Sequence, residues 1–322
     1  MIDLTHVLRG ATLGLAWFLL INVLASSAIA AVPPRILSGH ASRAPAWWFG
    51  LRMFPSTVAA FFVAAIFVPS YVKYEPREYG EGFDISLALL AVAAAAVVAS
   101  GVWRGARAWW RASRRVRAWM RSADAVTLAG AGMQAYVVNV DAPLMALAGI
   151  LRPRVIVSRR LIEALTPDEL AASVAHESGH QRARDNVKRL AMRAAPDVLS
   201  ATAVARTLER GWASASEHSA DRLAVRDSTD ARCALASALV KVARLASSAP
   251  TLGEPISTFA GGGEIAWRVE RLLDDDPHVR AAPPVGPRWI AAGVALSAAW
   301  LSYAPLLRAV HEATEVLVRT LP

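Results

Sequence analysis

Three long apolar runs crowd the first 102 residues, at about Ala11–Val32, Phe54–Val72 and Ile85–Val102, and a fourth, Trp289–Leu307, lies near the other end. Each is close to the roughly 20 residues a helix needs to cross hydrocarbon. Inside a bilayer every backbone polar group must be satisfied within the segment, so each run is expected to be a helix. This sets the expected fold class: a mainly α membrane protein with three transmembrane helices before a polar middle and one after it. Hydrophobic residues make up 55% of the chain, above the usual range of about 45–50%, and the mean hydropathy is +0.34.

The first run has a rival reading. Ala28-Ile29-Ala30 resembles a signal-peptidase site, so residues 1–30 can be read as a removable leader. The run is longer than a typical leader core and only Arg9 flanks it on the N-terminal side. A retained anchor is the better reading.

Basic residues near membrane ends set orientation. After the third run come Arg104, Arg107, Arg111, Arg114, Arg115, Arg117 and Arg121, with no acid until Asp124. That end is expected in the cytoplasm. The link between the second and third runs carries Glu75, Glu78 and Glu81 against Lys73 and Arg77, and is expected outside. Arg35, Arg43 and Arg52 between the first and second runs fit the cytoplasm. The N-terminus and the C-terminal tail are then outside, with the middle of the chain inside. Three parts follow: 1–103 with three spans, 104–287 as a cytoplasmic domain, and 288–322 as the fourth span and tail.

The net charge is +9. The arginines lie beside a membrane segment and among Trp103, Trp109, Trp110 and Trp119, an arrangement suited to anionic lipid headgroups. The bilayer is therefore an expected partner, and direct nucleic-acid binding is not expected. Cys233 is the single cysteine, which excludes an intramolecular disulfide and a cysteine metal cluster.

The chemistry sits at His176-Glu177-Ser178-Gly179-His180. This is an H-E-x-x-H run in a stretch expected to be helical from Pro167 to Arg189. Residues four apart share a helix face, so both imidazoles can reach one metal ion. Glu177 lies beside that ion, where it can act as general base; this is the pattern of a zinc hydrolase. Thr166 as N-cap, Pro167 in the first turn and Glu169 closing a capping box fix the start of the helix.

A catalytic zinc needs a third protein ligand and an open position. Glu217 is the best candidate; Glu209 and His218 are rivals ranked below it. Asp221, four residues after Glu217, can accept a hydrogen bond from a ligand imidazole and fix its tautomer. The segment from Asp197 to Arg226 is expected to form one or two helices, with Gly211 as the break. Short β-branched runs at Ala125–Leu128, Ala135–Val140 and Val155–Ser158 predict a small sheet beside the zinc helix, so the middle part is an α+β domain. An edge strand there can hold an extended substrate by its backbone.

Ser158-Arg159-Arg160-Leu161, the H-E-x-x-H run, Arg184-Asp185-Asn186 and Glu217 with Ala220-Asp221 together resemble the integral-membrane zinc metallopeptidases of the antibiotic-sensor (BlaR/MecR-like) family. They are also similar to the membrane proteases of the HtpX and CAAX-prenyl type. The resemblance covers about residues 130–245. It implies a gluzincin-like centre with one Zn2+ per chain, held by His176, His180 and Glu217. It further implies Glu177 as the catalytic base and Asp221 as support for a ligand. Asp185 matches an aspartate just after the motif, and a structural role is expected for it. The resemblance also implies a multi-pass protein of the bacterial inner (plasma) membrane that cuts a protein substrate, with a DNA-binding transcriptional repressor as the leading candidate in signal transduction.

The chain departs from that family after Leu307, where the remaining residues, 308–322, are too few for a penicillin-binding sensor. A β-lactam trigger is therefore not expected. A quality-control protease of the HtpX type and a non-catalytic receptor or scaffold are the alternatives. The intact base and ligand set argues against the last. His218, His278 and several arginines are the candidates for steadying an oxyanion.

Overall fold

Apolar sequence becomes long helix at the N-terminal end. In the computed structural model, which describes residues 4–37, 43–75, 85–127, 134–140, 143–226, 228–245, 257–258, 265–274 and 288–320, α1 spans Leu4–Ala30 and is followed by a short α2, Pro34–Leu37. Next, α3 (Pro45–Phe62) runs through a π turn (Val63–Phe67) into α4 (Val68–Tyr74) without interruption. The third long helix is α5, Ile85–Met120. By length and composition, α1, the α3–α4 rod and α5 can each cross a membrane.

Two boundaries differ from expectation. The second span starts at Pro45, not Phe54, so Pro55 lies inside α3. A proline removes one backbone donor, and neighbouring helices make that tolerable in a packed membrane bundle. Arg52 is consequently a residue of α3 and not of a cytoplasmic link; it is 1% exposed. The third run does not stop near Val102 either. α5 continues through the arginine stretch, so one rigid helix crosses the expected domain boundary at 103.

The expected fourth span falls in α12, Arg288–Thr320. The side chains of 288–301 lie outside the described residues, as do Glu78, Glu81, Arg77 and His278. The later part of α12 docks on the bundle. Ser70 Oγ donates to the Leu307 carbonyl at 2.7 Å and Trp17 Nε1 to Thr314 Oγ1 at 3.0 Å.

The middle of the chain holds a small mixed sheet. β1 (Asp124–Thr127), β2 (Gln134–Val138) and β4 (Arg154–Ser158) match the expected runs. β3 (Met145–Ala148) and the two-residue β5 (Ser257–Thr258) lie outside the expected runs, and β3 holds no β-branched residue. The strand order is β1-β2-β4-β3-β5. β2 is parallel to β4, and β3 antiparallel to it. Met-Ala-Leu-Ala has helical propensity, but all four residues of β3 are buried, and pairing with β4 overrides the local preference.

The helices of this part are α6 (Arg159–Ala164), α7 (Pro167–Ala183), α8 (Asp185–Ala194), α9 (Ala203–Val225), α10 (Thr229–Leu245) and α11 (Ile265–Leu273); α7 and α10 pack on one face of the sheet and the end of α5 on the other. Val155, Leu161, Val174, Leu235 and Leu239 fill the core between sheet, α7 and α10. The capping box at Thr166 and Glu169 is formed. Gly211 does not break α9. It admits the Trp48 indole of α3, since a Cβ there would meet Trp48 Cε3 at 2.6 Å.

A buried charge cluster joins this domain to the bundle. Arg52 donates from Nε to Glu209 at 3.1 Å, from Nη1 to Asp197 at 2.9 Å, and from Nη2 to the Met192 carbonyl at 2.9 Å and Ser200 Oγ at 2.8 Å. Ser56 Oγ also donates to Asp197 at 2.7 Å. On α1, Asn22 bonds the Pro196 carbonyl and the Val198 amide, each at 3.0 Å.

Candidate metal centre

The site begins with a helix break. The stretch expected to be helical from Pro167 to Arg189 turns at Arg184, which adopts φ 54 in the left-handed region. The turn ends α7 and starts α8 with Asp185, whose side chain reaches back to His180. Asn186 anchors the new helix to the sheet by donating to the carbonyls of Leu147 and Gly149, each at 2.8 Å. A second close approach brings in α9. Gly179, between the two histidines, lies against Ala220; a Cβ on it would meet the Ala220 Cα at 3.1 Å. With no side chain in the way, Glu217 and Asp221 of α9 come level with His176 and His180 of α7.

The result is a convergent donor set. One ligand atom each of His176, His180 and Glu217 lies within 4.8 Å of the others. The two Nε2 atoms are 3.1 Å apart. Glu217 Oε2 is 3.4 Å from His176 Nε2, and Oε1 is 3.6 Å from His180 Nε2. The outer nitrogens are occupied: His176 Nδ1 lies 2.8 Å from Asp221 Oδ1 and His180 Nδ1 lies 2.8 Å from Asp185 Oδ2. Carboxylates placed this way hold the proton on Nδ1 and leave the Nε2 lone pair for a metal. Ser216 donates to Asp185, and Lys188 lies 3.3 Å from it.

Glu177 is 0% exposed. Neither of its carboxylate oxygens has a well-formed hydrogen bond. Burial pushes its pKa up, against the opposing charges of His180 and His176 and the nearby Leu147 backbone amide. A buried carboxylate with no donor nearer than this one amide is costly, so this side chain is poised to take a proton. Burial alone would lower the histidine pKa values. The Glu217 charge and the bonds to Asp185 and Glu217 instead raise His180 to about 10, and the bonds to Asp221 and Glu217 raise His176. Burial would raise Glu217, but His180 and His176 hold it well below the usual carboxylate range. The surrounding carboxylates thus favour positive charge at this point. Two imidazoles, a carboxylate and an undonated base fit a divalent ion of the zinc type, which would displace those protons.

Arg268 is a site residue that the sequence did not reveal. It arrives on α11, and its Nε and Nη2 donate to Asp221 at 2.9 and 2.6 Å. Its Nη1 is 2.9 Å from Glu217 Oε2, at an angle that makes an ion pair and not a hydrogen bond. The rival ligands go elsewhere: Glu209 to Arg52, and His218 Nε2 to Arg271 Nη2 at 2.7 Å. Burial and the charges of Arg271 and Arg222 lower His218 to about 4. Beside His180 opens a groove of about 320 Å3, lined by Leu147, Ile150, Leu151 and Gln181 among others.

A helix-borne His-Glu-x-x-His pair, a glutamate from a second helix and a buried base define a centre of the metallopeptidase class. Residues 110–208 match the sequence pattern of Peptidase family M48. That match takes in His176, Glu177, His180 and Asp185 and ends before Glu217. The stretch is therefore a metallopeptidase domain similar to that family, without singling out the antibiotic-sensor type. No curated protein matches the chain.

Proposed function

We propose that the chain is a membrane-embedded zinc endopeptidase that cleaves a cytosolic or membrane-associated protein, with a transcriptional repressor as the leading substrate class. The convergence of His176, His180 and Glu217 on one point beside the undonated Glu177 carries this reading. His176, His180 and Glu217 would hold the ion, which when bound supplies an acidified water and a polarised carbonyl. Glu177 takes the water proton and passes it to the leaving amine. Asp221 and Asp185 keep the imidazoles oriented, and Arg268 fixes Asp221 and the charge of Glu217. β3 lies beside the base, where its Leu147 amide faces Glu177; β3 is paired with β4 on one side and β5 on the other, so a substrate would enter by the adjoining groove rather than as an added strand.

The protein is proposed as a multi-pass bacterial inner-membrane protein with the peptidase domain in the cytoplasm, held by the arginines of α5. A quality-control role is the second reading, favoured by the direct docking of the site's own helix, α9, on α3 through Arg52 and Glu209.

Glu177→Gln should retain zinc and fold while cleavage falls by roughly 10²–10⁴-fold, the usual contribution of a general base. Comparing cellular protein fragments in wild type and Glu177→Gln identifies the substrate; undiminished cleavage by the variant would sink the mechanism. Reporter fusions test orientation: one after Ala246 should report cytoplasm and one after Gly80 the exterior. The reverse pattern would rule out a cytosolic repressor.

A further inference from the structure

A second group of metal-binding side chains closes at the other end of the helix bundle. Arg52, which docks α3 on the peptidase domain, and Glu75, just after α4, bracket 23 residue steps of continuous helix, about 35 Å at 1.5 Å per residue. There Glu75, His311 and Glu315 each bring one ligand atom to within 4.8 Å of the others. His311 and Glu315 are four apart on α12 and share one face.

Glu75 is the informative member. Its side chain is 2% exposed, yet its contacts are long: Oε1 faces Arg9 Nη2 at 3.8 Å and Oε2 faces His311 Nδ1 at 3.6 Å. Among the described residues neither contact is within hydrogen-bond length, although a buried carboxylate is normally well supplied with donors. The two oxygens divide their work. Arg9 stands by Oε1, and Oε2 looks toward the imidazole nitrogen. The His311 ring is held in place by stacking on Tyr74, with centroids 5.7 Å apart and planes at 30°. Two carboxylates this close repel each other unless a cation lies between them. Arg319, the partner of Glu315 at 3.7 Å, is 78% exposed and solvated.

We propose that Glu75, His311 and Glu315 form a second site, for a divalent ion of the Zn2+ class, that bridges α4 and α12. One imidazole and two carboxylates neutralise such an ion and leave a position for water. The site stands independently of the peptidase reading. On the proposed topology it lies outside the membrane, so an external metal ion would tie α12 to the end of the second span.

Metal-stripped full-length protein in detergent, titrated with Zn2+ and followed by elemental analysis and calorimetry, tests this. His176→Ala/His180→Ala should still bind about one zinc per chain. Adding His311→Ala, or separately Glu315→Gln at its partly exposed position, should weaken that binding by roughly tenfold or more. If His311→Ala fails to fold, Glu315→Gln decides. The proposal is overturned if the double histidine variant binds no zinc. It is also overturned if its zinc is indifferent to Glu315→Gln, which would make Arg9, Glu75 and His311 a plain ion-pair network.

Discussion

Two buried charge clusters hang on α9, two turns apart, and they meet the low dielectric in opposite ways. At the one against α3, every nitrogen of Arg52 has an acceptor, and Asp197 receives Arg52, Ser56, Ser200 Oγ and the Ser200 amide. At the other, Glu177 keeps two buried oxygens without a formed hydrogen bond, while Glu217 Oε2 has the Arg268 ion pair at 2.9 Å but no formed hydrogen bond. A fully supplied network is a joint, because nothing more can bind it without breaking a bond. An undersupplied one is a receptacle, held open by the rigid helices around it. Both hold charged side chains almost wholly out of solvent, Arg52 and Asp197 in one and Glu177 in the other, so burial alone does not mark a functional site; the balance of donors and acceptors does.

The sharpest way to break this comparison is to swap the roles of the two glutamates of α9. Glu217→Ala should lower zinc content by one ion per chain and abolish cleavage, since a three-residue ligand set has no spare member. Glu209→Ala should leave zinc content unchanged. Elemental analysis of the purified variants separates the two, and loss of zinc from Glu209→Ala would show that the joint and the receptacle had been assigned the wrong way round.

Arg52→Met should act in the complementary manner. It strands Asp197 as an uncompensated buried charge, which costs about 3–5 kcal/mol. Thermal unfolding in detergent should show that loss, while the zinc content of the folded fraction stays at the wild-type value. An unchanged melting temperature would mean that Asp197 finds water or another donor, and that the joint is not closed.

The receptacle was more legible in sequence than the joint. His176, Glu177 and His180 declare themselves by helical spacing, and Glu217 and Asp221 by the same four-residue interval on a second helix. Their meeting depends on Gly179 letting α9 approach, which sequence alone does not display. Asp185 was found through resemblance, and its reason is geometric: the left-handed Arg184 turns it onto His180. Arg268 had no local signal, because one arginine in an amphipathic helix looks like a solvated face until α11 is packed. Arg52 was misplaced into a loop because its charge made it look external to a span; four acceptors let it stay inside. The sheet was partly legible. β1, β2 and β4 are β-branched, whereas β3 is a helix-forming sequence turned into strand by its neighbour.

The smallest effect comes from a carboxylate on α7 itself, eight residues before Glu177. Glu169 Oε2 accepts from the Thr166 amide at 2.8 Å and Lys241 Nζ at 2.7 Å, and Oε1 accepts from Ser237 Oγ at 2.6 Å. Burial would raise its pKa, but Lys241, Ser237 and the Thr166 amide lower it below the ordinary value, while Glu177 on the same helix is raised. Donor supply, not the helix, sets the direction. A depressed folded pKa means the stabilisation is present above the unfolded carboxyl pKa and is lost as pH falls through the folded one. Glu169→Gln should therefore cost about 1 kcal/mol at neutral pH, the scale of a helix cap, with catalysis retained. Unfolding curves of variant and wild type should converge as the pH falls through the lowered folded pKa, because the wild-type residue is then protonated in the native state too. A gap that widens in acid would show that folding raises the Glu169 pKa, as burial raises that of Glu177, and would erase the contrast between the supplied and the unsupplied carboxylate.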